Sequence, residues 1–469
     1  MFVCKFCNKK LTSQKRWDNH LKSKLHANKL RIHNKFENIV LENNDVVENI
    51  VVKNDIVVEN NDVVVENDVV VESKDGEEFK FIDMFSGIGG FHQAFLKLER
   101  DMKFKSKCIL ACDIDKNCRE VYLNNYGLEP HPNIKKIDEK TMDDFDALCS
   151  GFPCQPFSNS GKKLCFKDKK GLLFDEIIRI AKHKKPKFMF LENVKHILKV
   201  SDKKVIEYIK FKIDEIGYVL QLFEMSPHLY GIPQQRQRIF FVCVRKDLYN
   251  DKDIELIEDK LDKKPQDILE EKCDEKYNMK EDVSKVLHAW DELIQQFDEN
   301  QKMSPTILIN DAFRNYSDEE FKTLANWRKD YMTKNKPILK KYKKIIDKWY
   351  KKHKELLLKR EVYGKLEWQA GPLKKDDSIF NYFIQIRQSG IRVKRNKYFP
   401  TLVAISQIPI FGKVKRHLTP RECARLQCFP EDFKLSGSDR ASYKQFGNAV
   451  NVFNTHTIIK STLKHYGYF

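Results

Sequence analysis

From residue 79 onward, short apolar runs alternate with glycine turns and amphipathic stretches. Phe79-Lys80-Phe81-Ile82-Asp83-Met84-Phe85 predicts a strand, and Ser86-Gly87-Ile88-Gly89-Gly90-Phe91 turns it into a helix over 92–98. Residues 108–112 predict a second strand, closed by Asp113, with Asp115 as the N-cap of the next helix. A buried strand over 146–150 and a helix over 172–185 follow. Strands over 188–191 and 239–244 come next, the first running out at Glu192-Asn193-Val194. Near the end, residues 418–427 predict a helix capped by Thr419. Strand-helix alternation of this kind predicts an α/β fold with a largely parallel sheet.

The first 77 residues break that pattern. Residues 1–33 carry Cys4-x2-Cys7, twelve residues to His20 and five more to His26. Two thiolates on a hairpin knuckle and two imidazoles on one helix face are zinc-site spacing, and Leu11 and Trp17 supply the small core. Residues 34–77 are an acidic, Val- and Asn-rich linker. Between residues 37 and 78, thirteen acids stand against Lys53 and Lys74, a net charge of −11 that leaves +29 on the remainder. Such a segment is expected to be a disordered tether, or a mask for a basic groove in cis.

The whole chain carries +18, which points to an anionic polymer as partner. No apolar run approaches the ~20 residues of a membrane span, and no basic-then-apolar leader opens the chain. Twelve cysteines without an export signal suit a reducing compartment. An intracellular protein of cytoplasm or nucleus, monomeric and not secreted, is expected.

Chemistry concentrates at Gly151-Phe152-Pro153-Cys154-Gln155-Pro156-Phe157-Ser158. Prolines on both sides of Cys154 exclude helix or central strand and predict a rigid loop at a strand's carboxyl end, where open α/β sheets hold their ligands. The glycine turn at 86–90 and the acid Asp113 predict an adenosine-type cofactor, with the acid on ribose hydroxyls. Glu192 is a candidate proton donor or a helix cap. Arg236 and Arg238, two apart, would share a face and hold a planar acceptor or carboxylate, or form a surface pair. Residues 334–360 hold twelve Lys or Arg against Asp347 and Glu355, with Tyr342, Trp349 and Tyr350 interleaved. That run either tracks phosphates or is a solvated helix. The stretch 385–395, with Arg387, Gly390 and Arg392, is the second groove candidate.

Taken in order, these motifs resemble those of the cytosine carbon-5 DNA methyltransferases over residues 78–469. The Pro-Cys loop, Glu192-Asn193-Val194, Gln234-Gln235-Arg236-Gln237-Arg238, residues 418–427 and Gln445-Phe446-Gly447-Asn448-Ala449-Val450 carry the likeness. It implies a Rossmann-like S-adenosylmethionine-dependent methyltransferase domain (78–245, completed by 398–469) and a smaller target-recognition domain (246–397), preceded by the zinc finger. It implies Cys154 as nucleophile on a flipped-out cytosine, Glu192 at ring N3, Arg238 at the ring oxygen with Arg236 bracing it, and Gln155 and Ser158 at the emptied stack. The implied cofactor residues are Phe85, Gly87, Gly90, Asp113, Ile114, Asn133, Ile134, Gly151, Pro153, Leu173, Asn448 and Val450. Asn133 departs from the family, which has an acid there. The implied partners are S-adenosylmethionine and double-stranded DNA, with Arg387 and Arg392 on the DNA. An RNA cytosine methyltransferase, and a non-catalytic binding protein derived from the family, are the alternatives. The finger's ligand stays open among DNA, RNA and protein.

Overall fold

The computed structural model describes residues 2–4, 9–11, 78–153, 173–257, 259–303, 305–405 and 407–469. The chain divides into two compact units, Met1–Asp68 and Val69–Phe469. In the first, β1 (Phe2–Cys4) and β2 (Lys9–Leu11) pair antiparallel, with Cys4 opposite Lys9. That hairpin has the form expected of the zinc knuckle. Cys7, His20 and His26, the side chain of Cys4, and the linker 34–77 lie outside the described residues.

The second unit is built on two sheets. The first contains β3 (Phe79–Met84), β4 (Ser106–Cys112), β5 (Ala147–Ser150), β6 (Phe188–Val194), β7 (Tyr218–Met225) and β8 (Arg238–Arg245). Their spatial order is β4-β3-β5-β6-β8-β7; the first four run parallel, β8 runs antiparallel to β6, and β7, antiparallel to β8, again follows the direction of the first four. Leaving β3, the chain goes first to β4 on one side and then to β5 on the other. That reversal opens a crevice at the strands' carboxyl ends.

Both faces of this sheet are buried along its central strands, which are therefore mostly apolar. Phe79 and Phe81 face one core with Phe91, Phe95 and Leu98 of α1 (Gly90–Asp101). The Phe81 and Phe95 rings stack at 4.0 Å. Ile82 and Met84 face the other core with Ile177, Ile178 and Ile209, between α3 (Leu173–Lys184) and α4 (Lys204–Glu215). The helix α2 (Lys116–Tyr126) opens on Asp115, whose carboxylate accepts from the Asn117 amide at 3.0 Å. Predicted elements and observed ones agree to within a few residues. The exception is β6, which continues through Glu192 and Asn193 because its pairing with β8 runs on to Val194 opposite Arg238.

The second sheet has the order β14-β13-β11-β12-β10-β9, from β9 (Ile307–Leu308), β10 (Lys365–Gln369), β11 (Phe383–Arg387), β12 (Gly390–Lys394), β13 (Ile410–Phe411) and β14 (Arg416–His417). Helices of the interval precede and cross it: α5 (Glu281–Ile294), α6 (Ile309–Ala312), α7 (Asp318–Thr323), α8 (Asn326–Lys341) and α9 (Lys343–Leu358). Trp290 and Trp349 pack at 5.0 Å in its core, and their indole N–H groups donate to the Tyr363 and Ala289 carbonyls. Two of the strands come from beyond residue 397, and Ile254 and Ile268 pack in the first core rather than this one.

The chain then returns through α10 (Pro420–Leu426), α11 (Asp439–Asn448) and α12 (Val452–His465). Thr419 caps α10 as the sequence predicts, in a reciprocal box with Glu422. Glu422 is fully buried and takes both arms of Arg416 (2.6 and 2.9 Å) and the Glu270 and Thr419 amides at 2.9 Å. One carboxylate thus fastens β14 of the second sheet to α10 and to the 270 segment. Glu422→Ala strands the Arg416 charge in the interior, so stability is expected to fall by about 3–5 kcal/mol in denaturant unfolding.

Candidate active site

Three strand ends converge on the crevice. After β3 the backbone turns sharply, with Phe85 and Gly87 both at φ +54° and Gly89 at φ +82°. A β-carbon on Gly89 would sit 2.4 Å from the Tyr126 ring, and one on Gly90 would sit 2.5 Å from Val450 Cγ2. Packing therefore forbids side chains at both. Gly87 differs, since a β-carbon there would meet no atom of the described residues within 4 Å. The turn leaves open space in front of it.

At the end of β4, Asp113 pins this turn. Its carboxylate accepts from the Gly87 and Asp115 amides, both at 2.8 Å. Burial holds its pKa above the usual carboxylate range against those two hydrogen bonds. Next to it, Ile114 is 84% exposed, a large apolar side chain left open at the mouth of the crevice. Ile134 is buried, and Asn133 precedes it as the cap of the short turn Ile134–Lys136, its side-chain oxygen accepting from the Lys135 amide at 3.0 Å. Part of the amide's accepting capacity is therefore already used. Gly151 and Pro153 follow β5, and Val450 lies against Gly151 as it does against Gly90. Leu173 opens α3, and Asn448, exposed, ends α11.

Sequence reasoning missed the polar atoms behind the turn. Asp83 is fully buried in β3, and among the described residues its carboxylate is met only by the His92 backbone, short of a full hydrogen bond; the Ser86 hydroxyl is likewise buried and unmet there. Burial, with the Asp113 charge second, drives the Asp83 carboxyl well above its ordinary pKa. The signal was an acid inside an otherwise apolar strand. Unmet polar atoms, a glycine facing open space and a half-used carboxylate beside an exposed isoleucine fit an adenosine-type cofactor.

Across the crevice, Glu192 is buried within β6 and its carboxylate lies 2.8 Å from Nε of Arg238, the first residue of β8. The two strands bring them together, because Val194 pairs with Arg238 and Glu192 with Phe240. Burial raises the Glu192 pKa, and Arg238 and then Arg236 oppose it. Asn193 was also missed: its side-chain amide donates to the Phe152 carbonyl at 3.0 Å, tying β6 to the loop just ahead of Cys154. Cys154, Gln155 and Ser158 lie outside the described residues.

Arg236 does not brace Arg238. It is buried, and its guanidinium donates to the carbonyls of Leu402 (2.9 Å), Gly447 (3.0 Å) and Ala449 (2.7 Å). Three main-chain oxygens converge on its fork, and the Arg238 charge repels it.

In the second sheet, Arg387 and Gly390 close the β11–β12 hairpin. The close approach that Gly390 permits is to the chain itself: a β-carbon there would lie 2.7 Å from Lys365 Cβ and oxygen. Arg392 is engaged with Glu367 at 2.7 Å, while Arg387 is half-buried. This sheet is clamped to the start of β8, since the Gln235 amide donates to Phe399 O, the Phe399 amide to Pro233 O, and the Lys394 ammonium to the Gln235 side chain.

The fold has known counterparts. The methyltransferase EhMeth of Entamoeba histolytica superposes with a TM-score of 0.51 over 83% of this chain and 99% of its own, at 18% identity. Among sequence relatives, the Type II methyltransferase M1.ScrFI of Lactococcus lactis subsp. cremoris is 32% identical over 82% of this chain and 78% of its own length. The Type II methyltransferase M.HhaI of Haemophilus parahaemolyticus is 30% identical over 79% and 90%. Residues 1–27 match the family described as zinc-finger double-stranded RNA-binding. Residues 79–464 match the model of the C-5 cytosine-specific DNA methylases. With four-fifths of its length so matched, the chain belongs to the C-5 cytosine-specific DNA methylase family and is an S-adenosylmethionine-dependent cytosine-5 methyltransferase carrying an N-terminal two-Cys/two-His finger.

Proposed function

We propose that the chain methylates carbon 5 of a cytosine extruded from duplex DNA, through a temporary bond from Cys154 to ring carbon 6. The observation that carries this reading is the buried Glu192–Arg238 pair, in a strand that Asn193 ties to the loop leading into Cys154. We assign residues 78–245 and 398–469 to catalysis and 246–397 to target recognition.

S-adenosylmethionine, when bound, supplies a methyl group activated by a sulfonium. Asp113 would hold its ribose, Ile114 and Ile134 its adenine, and Gly87, Gly90 and Val450 would bound its chain. The Cys154 thiolate adds to carbon 6, its electron pair forming the C–S bond while the ring's 5,6 double-bond electrons move toward N3. Glu192 gives its proton to N3 as that charge develops, a role suited to a carboxyl that burial keeps protonated more readily than usual. Arg238 donates to the ring oxygen and steadies the same charge. Carbon 5, now an enamine carbon, takes the methyl group. With the cofactor gone over to its neutral thioether, a water would take the carbon-5 proton, the C–H pair would re-form the 5,6 double bond and expel the thiolate, and N3 would return its proton to the Glu192 carboxylate, restoring the aromatic ring. A stacked base cannot be reached this way, so it must leave the duplex at a cost of a few kcal/mol. Gln155 and Ser158 would fill the gap or hold the backbone, and Arg387 and Arg392 would line the DNA. Cys4, Cys7, His20 and His26 would bind Zn2+, supported by the residues 1–27 match.

A cytosine in RNA is the second reading, and that same match favours it. Incubation of the full chain with methyl-labelled S-adenosylmethionine separates the two. Label is expected in duplex DNA of mixed sequence and not in transfer RNA; the reverse pattern would move the proposal to RNA.

Asp113→Ala is expected to weaken cofactor binding by about 10- to 100-fold, because a charged acceptor is removed and the Gly87 amide is released. Calorimetric titration with S-adenosylmethionine measures it. Acid should mimic the substitution: the raised Asp113 pKa means the carboxylate takes up its proton at a higher pH than an ordinary aspartate, so wild-type affinity falls early on acidification.

A further inference from the structure

We propose that the outward face of α8 and α9 is a second DNA contact, a lysine ridge that takes the phosphate backbone of duplex flanking the target. The inference rests on the DNA reading above.

The two helices are separated only by Tyr342 and are seated firmly. Asn335, buried in α8, accepts from the Leu308 amide at 3.0 Å and donates to the Thr306 carbonyl. In α9, Ile346, Trp349, Tyr350 and Leu357 are buried, with Tyr350 stacked on Phe313 at 3.9 Å. The aromatics of the basic run thus point inward, and the opposite face is left to lysine.

Lys336, Lys340, Lys344, Lys348, Lys351 and Lys354 are all exposed. Spacings of three and four residues put Lys336 and Lys340 on one side of α8, and Lys344, Lys348, Lys351 and Lys354 on one side of α9. Among the described residues, none of the six has a carboxylate within ion-pair distance. The acids nearby are consumed elsewhere, Asp347 by Lys343, Asp330 by Lys334 and Glu292 by Lys352. Glu355 is the one acid left on that face. Like charges at three- and four-residue spacing repel and weaken a helix, so this face is built against its own stability. A polyanion relieves that repulsion. Within α9 the ridge runs from Lys344 to Lys354, about 15 Å at 1.5 Å per residue, and Lys336 and Lys340 add to it from α8. The α9 part alone matches roughly four base pairs at 3.4 Å each. α8, which carries Lys336 and Lys340, packs beside β9, an edge strand of the second sheet, whereas the clamp to the catalytic half is at β12. The ridge therefore meets phosphates outside the target base pairs, and it carries no sequence information.

The test is salt-dependent binding of the full chain to a 30-base-pair duplex of arbitrary sequence. The comparison is with Lys340→Glu/Lys344→Glu/Lys348→Glu/Lys351→Glu and with the matching four-Gln variant. Cofactor binding and thermal unfolding report that both variants are folded. Every phosphate that a variant no longer neutralises should make the slope of log K against log salt shallower by about 0.9. Between 50 and 200 mM salt the wild type should accordingly lose roughly 100-fold more affinity than either variant. A wild-type slope retained by both folded variants overturns the ridge. So does a loss of affinity that is equal at every salt concentration, which would mark a packing effect. The reading of the catalytic site is judged separately, by adduct formation on a fluorinated cytosine. A wild type that forms the adduct while the slopes coincide refutes the ridge alone. A wild type that forms none while the slopes differ refutes the catalytic reading and leaves the ridge standing.

Discussion

Cys154→Ser is expected to lower methyl transfer by at least ~10^4-fold, with cofactor and DNA affinity changed little. The reason is the chemistry of the first step. Carbon 5 of cytosine attacks nothing until carbon 6 has been loaded with an electron pair, and only a thiolate does so at neutral pH. A serine hydroxyl stays protonated, and no base in the site is assigned to it. The same substitution has a second readout that does not depend on turnover. With 5-fluorocytosine in the duplex, carbon 5 carries fluorine in place of the proton, so elimination is blocked and the C–S bond persists through denaturation. The wild-type chain should run as a protein–DNA adduct that requires S-adenosylmethionine; Cys154→Ser should give none. An adduct formed equally well by the serine variant would remove Cys154 from the mechanism. A wild type that binds both ligands and forms no adduct on duplexes of varied sequence would reduce the chain to a binding protein.

Much of this site could be read from the chain because its chemistry is local. A glycine-rich turn after an apolar strand, an acid at the next strand's end and an Asp or Thr ahead of a helix each act on neighbours a few residues away. Asp113, Asp115 and Thr419 accordingly stand where the sequence put them. What could not be read depends on contacts across long separations. Nothing near Arg236 says that its partners are 166, 211 and 213 residues further on. Nothing near Gly390 says that the backbone it admits is that of Lys365 rather than a DNA strand. Glu192 looked like a strand terminus because the apolar run stops at Leu191. Pairing with β8 carried the strand three residues further and brought the carboxylate beside Arg238. The lysine run over 334–360 was ambiguous for a different reason: composition cannot tell which face of a helix is covered, and the burial of Trp349 and Tyr350 shows that face without showing what the lysines meet.

Arg236 and Arg238 are two residues apart and should fail in opposite ways. Replacing Arg236 by methionine, of similar reach, removes the donors that three main-chain oxygens share and is expected to cost about 3–5 kcal/mol of stability. Two of those oxygens, of Gly447 and Ala449, belong to the turn that presents Val450 to Gly90 and Gly151. Gly447 is itself pressed against the Val403 backbone, where a β-carbon would sit 2.4 Å from the carbonyl carbon, so the turn has no room to settle elsewhere. Cofactor affinity should therefore fall along with stability, although the Arg236 guanidinium directs its donors to the main chain. Arg236→Lys should recover little, because one ammonium cannot reach three carbonyls held by a planar fork. Arg238→Met should cost less stability than Arg236→Met, since the Glu192 carboxyl it leaves behind, raised by burial, can take up a proton, while methyl transfer drops by about 10^2- to 10^4-fold. Denaturant unfolding with and without S-adenosylmethionine, run beside single-turnover methylation, distinguishes the two. An Arg236→Met chain as stable as wild type but inactive would return that arginine to the reacting base.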